Sequence, residues 1–426
     1  VLIQIAELFG IWGITFMMVF PQAFLGNWFC DRFSKTDNSA RGESAAVCQG
    51  LWKHILFHGV SLTVYCVLLI AQLVYGIVSI NFWKNAKPDT SFRVATVQHN
   101  ADSWKGGYDT YKRNFINLEK MSLEAILQKP DMIVWSETAF VPSVNWYTNY
   151  PYEGNDEGAN FDYLRKIQGL VDDFVTFGTE LGTPLLTGNP SSVIADESLP
   201  PYDEEGNWNK LDYNSVILFD EGKIKQTYFK QHLVPFTEHF PYEKQLPLLY
   251  KILKANDYHW WEKGSEAVVF ETSNGIRFSA PICFEDVFGD VCAGFIENGA
   301  DLLINMTNDS WSGSEAAERQ HMAMAVFRTV ENRRTMLRGT NSGMTCLITP
   351  DGKIQGEMIP FKMGHKIWEV PVYSSDTFGT TLYTDTVDLS AKIASWLSFA
   401  VLAWGLVLVV LKTAGAKRSK KACEDE

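Results

Sequence analysis

The sequence predicts an α/β domain of roughly 300 residues inserted between membrane-spanning α-helices, and three observations carry that expectation. Three stretches, Leu8–Phe29, Gly59–Ile80 and Ile393–Leu411, contain no Asp, Glu, Lys or Arg. They run 22, 22 and 19 residues, and at ~1.5 Å rise per residue each can cross a hydrocarbon layer about 30 Å thick. Between the second and third, apolar runs of strand length alternate with helix-period segments. Three of those runs end in reactive side chains: a carboxylate, an amine and a thiol. A single charge-free stretch also fits the buried helix of a soluble protein. Three of them flanking a long polar block favour membrane spans.

Residues 1–80 read as two membrane helices joined by a loop at about 28–54, followed by an outer domain at 81–390, a third span at 391–412 and a basic tail at 413–426. The chain opens at Val1 inside an apolar run, so further spans are expected upstream. The loop carries Arg32, Lys35, Arg41 and Lys53, and the tail carries Lys412, Lys417, Arg418, Lys420 and Lys421. Basic residues stay on the cytoplasmic side, which places loop and tail there and the large domain outside.

Within that domain Phe92–Val97 reads as the first strand, after a linker at Lys87-Pro88-Asp89. Met132–Ser136 is an apolar run that ends in Glu137. Phe161, Leu164, Ile167, Val171 and Phe174 recur at helical spacing. Ser215–Phe219, Asp220-Glu221-Gly222 and Lys223–Phe229 read as a hairpin that ends in Lys230. Pro281-Ile282 closes a further strand at Cys283, ahead of the polar turn of Glu285, Asp286 and Gly289-Asp290. Leu302–Met306 is a buried strand, Ala316–Leu337 a long Arg-rich helix, and Met344–Ile354 a terminal hairpin around Pro350-Asp351-Gly352.

The formal net charge of −13 gives no basic face for phosphates, so nucleic acid is not an expected partner. Of seven cysteines, Cys30 and Cys48 fall in the loop, Cys66 in a span and Cys423 in the tail. Cys283, Cys292 and Cys346 lie in the outer domain, and this odd number leaves a free thiol in an oxidising compartment. No CxxC or CxxH spacing occurs, so neither metal nor cofactor is expected.

Cysteine is usually a packing residue, and Cys292 and Cys346 take that reading. Glu137 alone fits a turn cap, and Lys230 alone a solvated strand end. Together, at the carboxyl ends of strands, where open sheets place their sites, they form a reactive set. It suits acyl transfer through a thioester: Cys283 attacks, Glu137 moves the proton and Lys230 stabilises the oxyanion. Between Glu238 and Ser265, Leu246, Leu248, Leu249, Tyr250, Ile252 and Leu253 precede Trp260-Trp261, and a second aromatic stretch runs from Trp146-Tyr147 to Tyr150-Pro151-Tyr152. These read either as packed surface or as a lid that enters the bilayer interface.

The local sequences resemble the nitrilase (carbon–nitrogen hydrolase) superfamily and, within it, the apolipoprotein N-acyltransferases of bacterial inner membranes. The resemblance rests on Trp135-Ser136-Glu137-Thr138-Ala139, Lys230 through Glu238, Pro281-Ile282-Cys283-Phe284-Glu285, Asn305 through Trp311, Gln320-His321 and Arg338 through Gly343. The run Gln4 through Gly13 is similar to one of that family's membrane segments, and Phe284 stands where the family more often has Tyr. The resemblance implies a four-layer α-β-β-α sandwich with Cys283 as nucleophile, Glu137 as general base and Lys230 as oxyanion donor, assisted by the Phe284 N–H. Glu238 and Glu285 match further acidic positions, with plain loop solvation as the alternative. It also implies a monomer in the bacterial inner membrane with its catalytic domain on the periplasmic side. The acyl donor would be a phospholipid and the acceptor a diacylglyceryl apolipoprotein. A membrane-anchored amidase with small soluble substrates is the rival reading; a non-catalytic scaffold is disfavoured by the three reactive residues.

Overall fold

The computed structural model describes residues 1–39, 51–102, 105–154, 156–255 and 260–424. Arg41 and Cys48 lie outside the described residues, as do the side chains of Arg32, Lys35, Lys53, the basic tail and Cys423. The chain forms two compact units, Val1–Ile77 with Thr386–Glu426, and Val78–Asp385.

The first unit is helical: α1 (Ala6–Ser39), α2 (Leu51–Phe57), the start of α3 (Gly59–Asn85) and a C-terminal helix (Leu389–Glu424). Leu2–Cys30, Gly59–Asn85 and Leu389–Leu411 are long and apolar enough to cross a membrane. Phe16, Met18, Val60 and Leu402 are exposed, as expected of side chains solvated by lipid. The few polar groups pair between helices: Tyr75 donates to Glu7 at 2.6 Å, and the Gln72 amide to the Leu2 carbonyl at 2.8 Å. Gly10, at φ 62°, breaks α1, and the Ser390 hydroxyl donates to the neighbouring Phe9 carbonyl at 2.8 Å.

The second unit runs in the order β1 (Thr90–Gln98), α4 (Tyr108–Ile126), β2 (Met132–Val134), α5 (Val144–Asn149), α6 (Ala159–Glu180), β3 (Leu185–Gly188), β4 (Ser191–Ile194), β5 (Lys210–Tyr213), β6 (Ser215–Asp220), β7 (Lys223–Phe229) and α7 (Pro247–Lys254). It continues with β8 (Phe270–Glu271), β9 (Arg277–Ser279), α8 (Gly289–Glu297), β10 (Leu302–Thr307), α9 (Glu315–Asn332), β11 (Thr335–Thr340), β12 (Cys346–Ile348), β13 (Ile354–Glu357) and β14 (Gly364–Val372). Two six-stranded sheets result, in the orders β14-β1-β2-β3-β6-β7 and β13-β12-β11-β10-β9-β8, with β4 and β5 as a separate pair. Strands β1, β2 and β3 are parallel, as are β9, β10 and β11; the outer strands are antiparallel.

The sheets face each other because alternate residues of β1 are apolar on both faces. Phe92 and Val94 pack with Phe278, Leu302 and Met336 of the second sheet, the rings of Phe92 and Phe278 lying 6.4 Å apart. Ala95 and Val97 instead meet Phe115 and Leu118 of α4 and Phe174 of α6. Val291 and Phe295 of α8 and Met322 of α9 cover the second sheet. The four-layer α-β-β-α order is thus observed. The hairpin expected at 215–229 forms, and Glu221 and Gly222 both adopt positive φ in its two-residue turn.

Two sequence readings need correction. The helix expected over Ala316–Leu337 stops at Asn332, where Arg333 turns left-handed at φ 50° and the following residues become the central strand β11. The hairpin expected to end the domain is followed by β14, which crosses to the first sheet and pairs with β1.

Candidate active site

Glu137 follows β2 by three residues, on a turn whose next residue, Thr138, sits at φ 49°. That turn packs on Gly188 at the end of β3: a Cβ there would lie 2.3 Å from the Thr138 nitrogen and 2.6 Å from the Glu137 Cα. Only glycine permits so close an approach. Lys230 directly follows β7, with its N–H held by the Asn214 carbonyl at 2.9 Å and its carbonyl by the Gly264 N–H at 2.8 Å. Cys283 begins a short 3-10 turn, Cys283–Val287. Its predecessor Ile282 bridges to Met306, and Cys283 itself is left-handed at φ 50°. The Asn305 amide donates to the Cys283 carbonyl at 3.2 Å and holds this strained elbow against β10.

These three side chains converge. Lys230 is fully buried and its ammonium donates to Glu238 at 2.8 Å and to Glu137 at 3.4 Å. Asn214, between β5 and β6, donates to both carboxylates, at 2.9 Å to Glu137 and 3.1 Å to Glu238. The Asn308 N–H gives the second Glu137 oxygen a 2.9 Å bond, and the Val234 N–H does the same for Glu238 at 2.8 Å. Burial raises the proton affinity of Glu137, with Lys230 opposing and Glu238 adding to the shift. Burial alone would lower the Lys230 amine, but Glu137, Cys283 and Glu238 outweigh it and keep it protonated. Enclosure and the Glu137 charge push the Cys283 thiol well above its ordinary value, so it rests as a thiol beside Glu137.

Glu238 thus holds the lysine, whereas Glu285 touches a different part of the site. Its oxygens accept from Tyr228 at 2.8 Å, from the Gln231 and His232 N–H groups at 2.6 and 3.0 Å, and from the Ile282 N–H at 2.8 Å. It ties the chain after Lys230 to the residue before Cys283. Behind the elbow His321 bridges Asp286 at 2.9 Å and Asp309 at 2.9 Å, while Arg338 also donates to Asp286. Burial alone would lower His321, but Asp286 and Asp309 hold it at about 9. Asn214, Asn305 and Asp309 were not singled out as site residues from sequence; their only signal was a place within or beside the quoted runs.

Glu137, Cys283, Phe284 and Glu238 line a cavity of about 730 Å³ with a mainly apolar wall that includes Trp261, Trp311 and Met324. Phe284 lies beside Cys283, its ring 5.1 Å from Phe288. The residues proposed as a lid separate. Leu248 and Leu249 project from α7, 73% and 43% exposed, with Leu246 and Ile252 also exposed. Trp260 instead packs 6.4 Å from Phe240, and the Trp261 N–H bonds the Glu238 carbonyl at 3.0 Å. In the second aromatic stretch Trp146 and Tyr147 are buried.

The carbon–nitrogen hydrolase family model matches residues 93–374. Apolipoprotein N-acyltransferase 1 of Treponema pallidum is 35% identical over 412 residues, 95% of this chain and 70% of that protein. Apolipoprotein N-acyltransferase 1 of Treponema denticola is 36% identical over 372 residues, 85% of this chain and 63% of that protein. A protein named apolipoprotein N-acyltransferase from Geobacter metallireducens is 28% identical, over 83% of this chain and 58% of its own length. The chain therefore spans about two thirds of the relatives it matches. Among solved structures, a variant of the amidase from Nesterenkonia sp. AN1 superposes at a TM-score of 0.45 with 16% identity, over 73% of this chain and 100% of that one. By the family match and the Treponema sequences, this chain, with three membrane-length helices among its described residues, belongs to the apolipoprotein N-acyltransferases of the carbon–nitrogen hydrolase family.

Proposed function

We propose that the protein transfers a fatty acyl chain from a phospholipid, through a thioester on Cys283, to the α-amine of the diacylglyceryl-modified cysteine of an apolipoprotein. The observation that carries this reading is the Cys283 thiol against buried Glu137, with Lys230 held beside them, on an apolar cavity in a chain with membrane spans. Because the thiol rests protonated, attack on the ester carbonyl is coupled to proton transfer from sulfur to Glu137. The Lys230 ammonium and the Phe284 N–H stabilise the oxyanion. Collapse breaks the ester C–O bond, and the departing lysophospholipid takes the proton from Glu137. The acceptor amine then attacks the thioester, Glu137 removes its proton and returns it to sulfur, and amide and thiol result. The apolar wall keeps water from competing with the amine. Glu238 keeps the lysine from collapsing fully onto the base, and Glu285 fixes the spacing of Lys230 and Cys283.

The basic loop and tail favour a periplasmic catalytic domain in the bacterial inner membrane, and the site, complete in one chain, favours a monomer. Incubating the purified protein with phospholipid and measuring the mass of its Cys283 peptide tests the reading. An acyl adduct on Cys283, absent from Cys283→Ala and trapped as a slow ester on Cys283→Ser, is expected. An adduct on Cys292 or Cys346 instead would sink the assignment.

A further inference from the structure

We propose that Glu318, in the first turn of α9, forms with Asp309 a subsite for the primary ammonium group of a substrate in the Cys283 cavity. The proposal deepens the acyl-transfer reading and rests on it for the identity of the substrate.

Glu318 is fully buried, lines the cavity, and has no hydrogen-bond partner on either carboxylate oxygen. The other acids of the site have partners. Glu137 and Glu238 hold Lys230, Asn214 and backbone N–H groups, and Glu285 holds Tyr228 and three N–H groups. Asp286 and Asp309 share Arg338 and His321. Glu318 thus lies against Asp309 with the nearby cations already engaged, and the helix N-terminus offers it only a partial charge. Burial, then Asp309 and Glu315, push its carboxyl up to about 7, so it is available as an anion near neutrality.

An unpaired buried carboxylate is costly unless a ligand completes it. Gly343 marks where the two acids meet: a Cβ there would lie 3.3 Å from an Asp309 oxygen and 3.5 Å from the Glu318 carboxyl carbon. That close wall leaves room for a small head, and one free carboxylate beside an engaged one falls short of the six or more oxygens a calcium ion takes. A primary ammonium, with three N–H donors on a compact charge, fits both the size and the missing bonds. Transfer from phospholipid to an amine offers that group twice, as the acceptor's α-ammonium and as the headgroup of an ethanolamine phospholipid.

The full chain in detergent is tested first with n-butylammonium, read as protection of Cys283 against iodoacetamide by peptide mass spectrometry. Protection of the parent is expected, with the half-protecting concentration raised about tenfold to a hundredfold in Glu318→Gln and a tetramethylammonium control protecting both poorly. No protection of the parent, or the same concentration for both proteins, overturns the subsite. Glu318→Asp, which keeps the charge, replaces Glu318→Gln as the comparison if the latter misfolds, and is then expected to retain protection; its loss there counts against the proposal. The source is assigned by acylating Cys283 from ethanolamine- and glycerol-headgroup phospholipids and by aminolysis of the acyl-enzyme with an N-terminal cysteine peptide. A fall in the ethanolamine-to-glycerol rate ratio in Glu318→Gln assigns the headgroup, a raised KM for the peptide assigns the acceptor, and equal losses in every step overturn the proposal. If the parent forms no thioester with any phospholipid, the acyl-transfer reading falls, while the butylammonium result still decides the subsite.

Discussion

Replacing Gly188 with alanine should disable the base without touching a reactive side chain. Gly188 is absent from the residues with positive φ, so its backbone angles suit alanine. The obstacle is contact: the new methyl would lie 2.3 Å from the Thr138 nitrogen, 2.6 Å from the Glu137 Cα and 2.6 Å from the Ser136 oxygen, all backbone. Ordinary contact begins near 3.4 Å, so the turn that carries Glu137 must retreat by about 1 Å. A displacement of that size at a proton-transfer site costs about a hundredfold in rate, or about 3 kcal/mol on the barrier. Single-turnover acylation of Cys283, followed by mass spectrometry, reads the rate, and a melting curve reads the fold. Gly339→Ala is the control, because the one tight contact of its methyl is a side-chain carbon, Val134 Cγ1, at 3.1 Å, while Thr96 Cγ2 at 3.8 Å and the Asn305 oxygen at 3.9 Å are at ordinary distance. Acylation of folded Gly188→Ala within about threefold of the parent would refute the view that this glycine positions the base.

Because burial raises the proton affinity of Glu137, the acylation rate should climb with pH through a limb above the usual carboxylate range; a flat profile would remove Glu137 as the base. His321 binds its proton more tightly in the folded protein, at about 9, than an ordinary histidine does at 6.5. Its contribution, about 3 kcal/mol, is fully present below pH ~6.5 and is lost as pH rises toward 9, so melting temperature should fall across that window and flatten in His321→Gln. Asp at both Leu248 and Leu249 should weaken acylation from long-chain phospholipid more than a hundredfold while sparing a short soluble thioester, since burying each leucine contributes about 1.5–3 kcal/mol. Trp261→Ala, which opens the cavity wall itself, should slow both donors; equal sparing of both would place that ring outside the reaction path.

Much of the catalytic domain was legible because its signals are local. The strand-length run of Phe92–Val97 after its Pro-containing linker, the turn at Glu221-Gly222 and the helical spacing from Phe161 to Phe174 each reappear as β1, a hairpin and α6. Glu137, Lys230 and Cys283 were found because each ends an apolar run, and the structure brings their side chains into one cluster. What escaped depends on convergence across the sheets. Asn214 is unremarkable until its amide lies between two glutamates, and Glu285, expected only as a further acidic position, has oxygens that hold backbone from two chain segments. The end of α9 was hidden because Met336 and Leu337 continue its apolar pattern, and only Arg334 and the left-handed Arg333 separate helix from strand. The cysteine itself sits on a left-handed residue past an isolated bridge, a geometry with no propensity signal.

The pairing of β1 with β14 joins Thr90 to Val372, the first strand of the domain to the last. Until the ribosome has made β14, β1 has one bare edge, and Glu137 beyond the first sheet and Cys283 beyond the second belong to an unclosed structure. Closing so long a loop costs entropy before any contact repays it, so folding is set late in synthesis and slow. During that interval β1 presents Val94, Ala95 and Val97 as a ready template for another strand. A deletion that removes only residues 364–372 should therefore aggregate, as light scattering of the refolded protein would show, rather than yield a folded chain of lower activity.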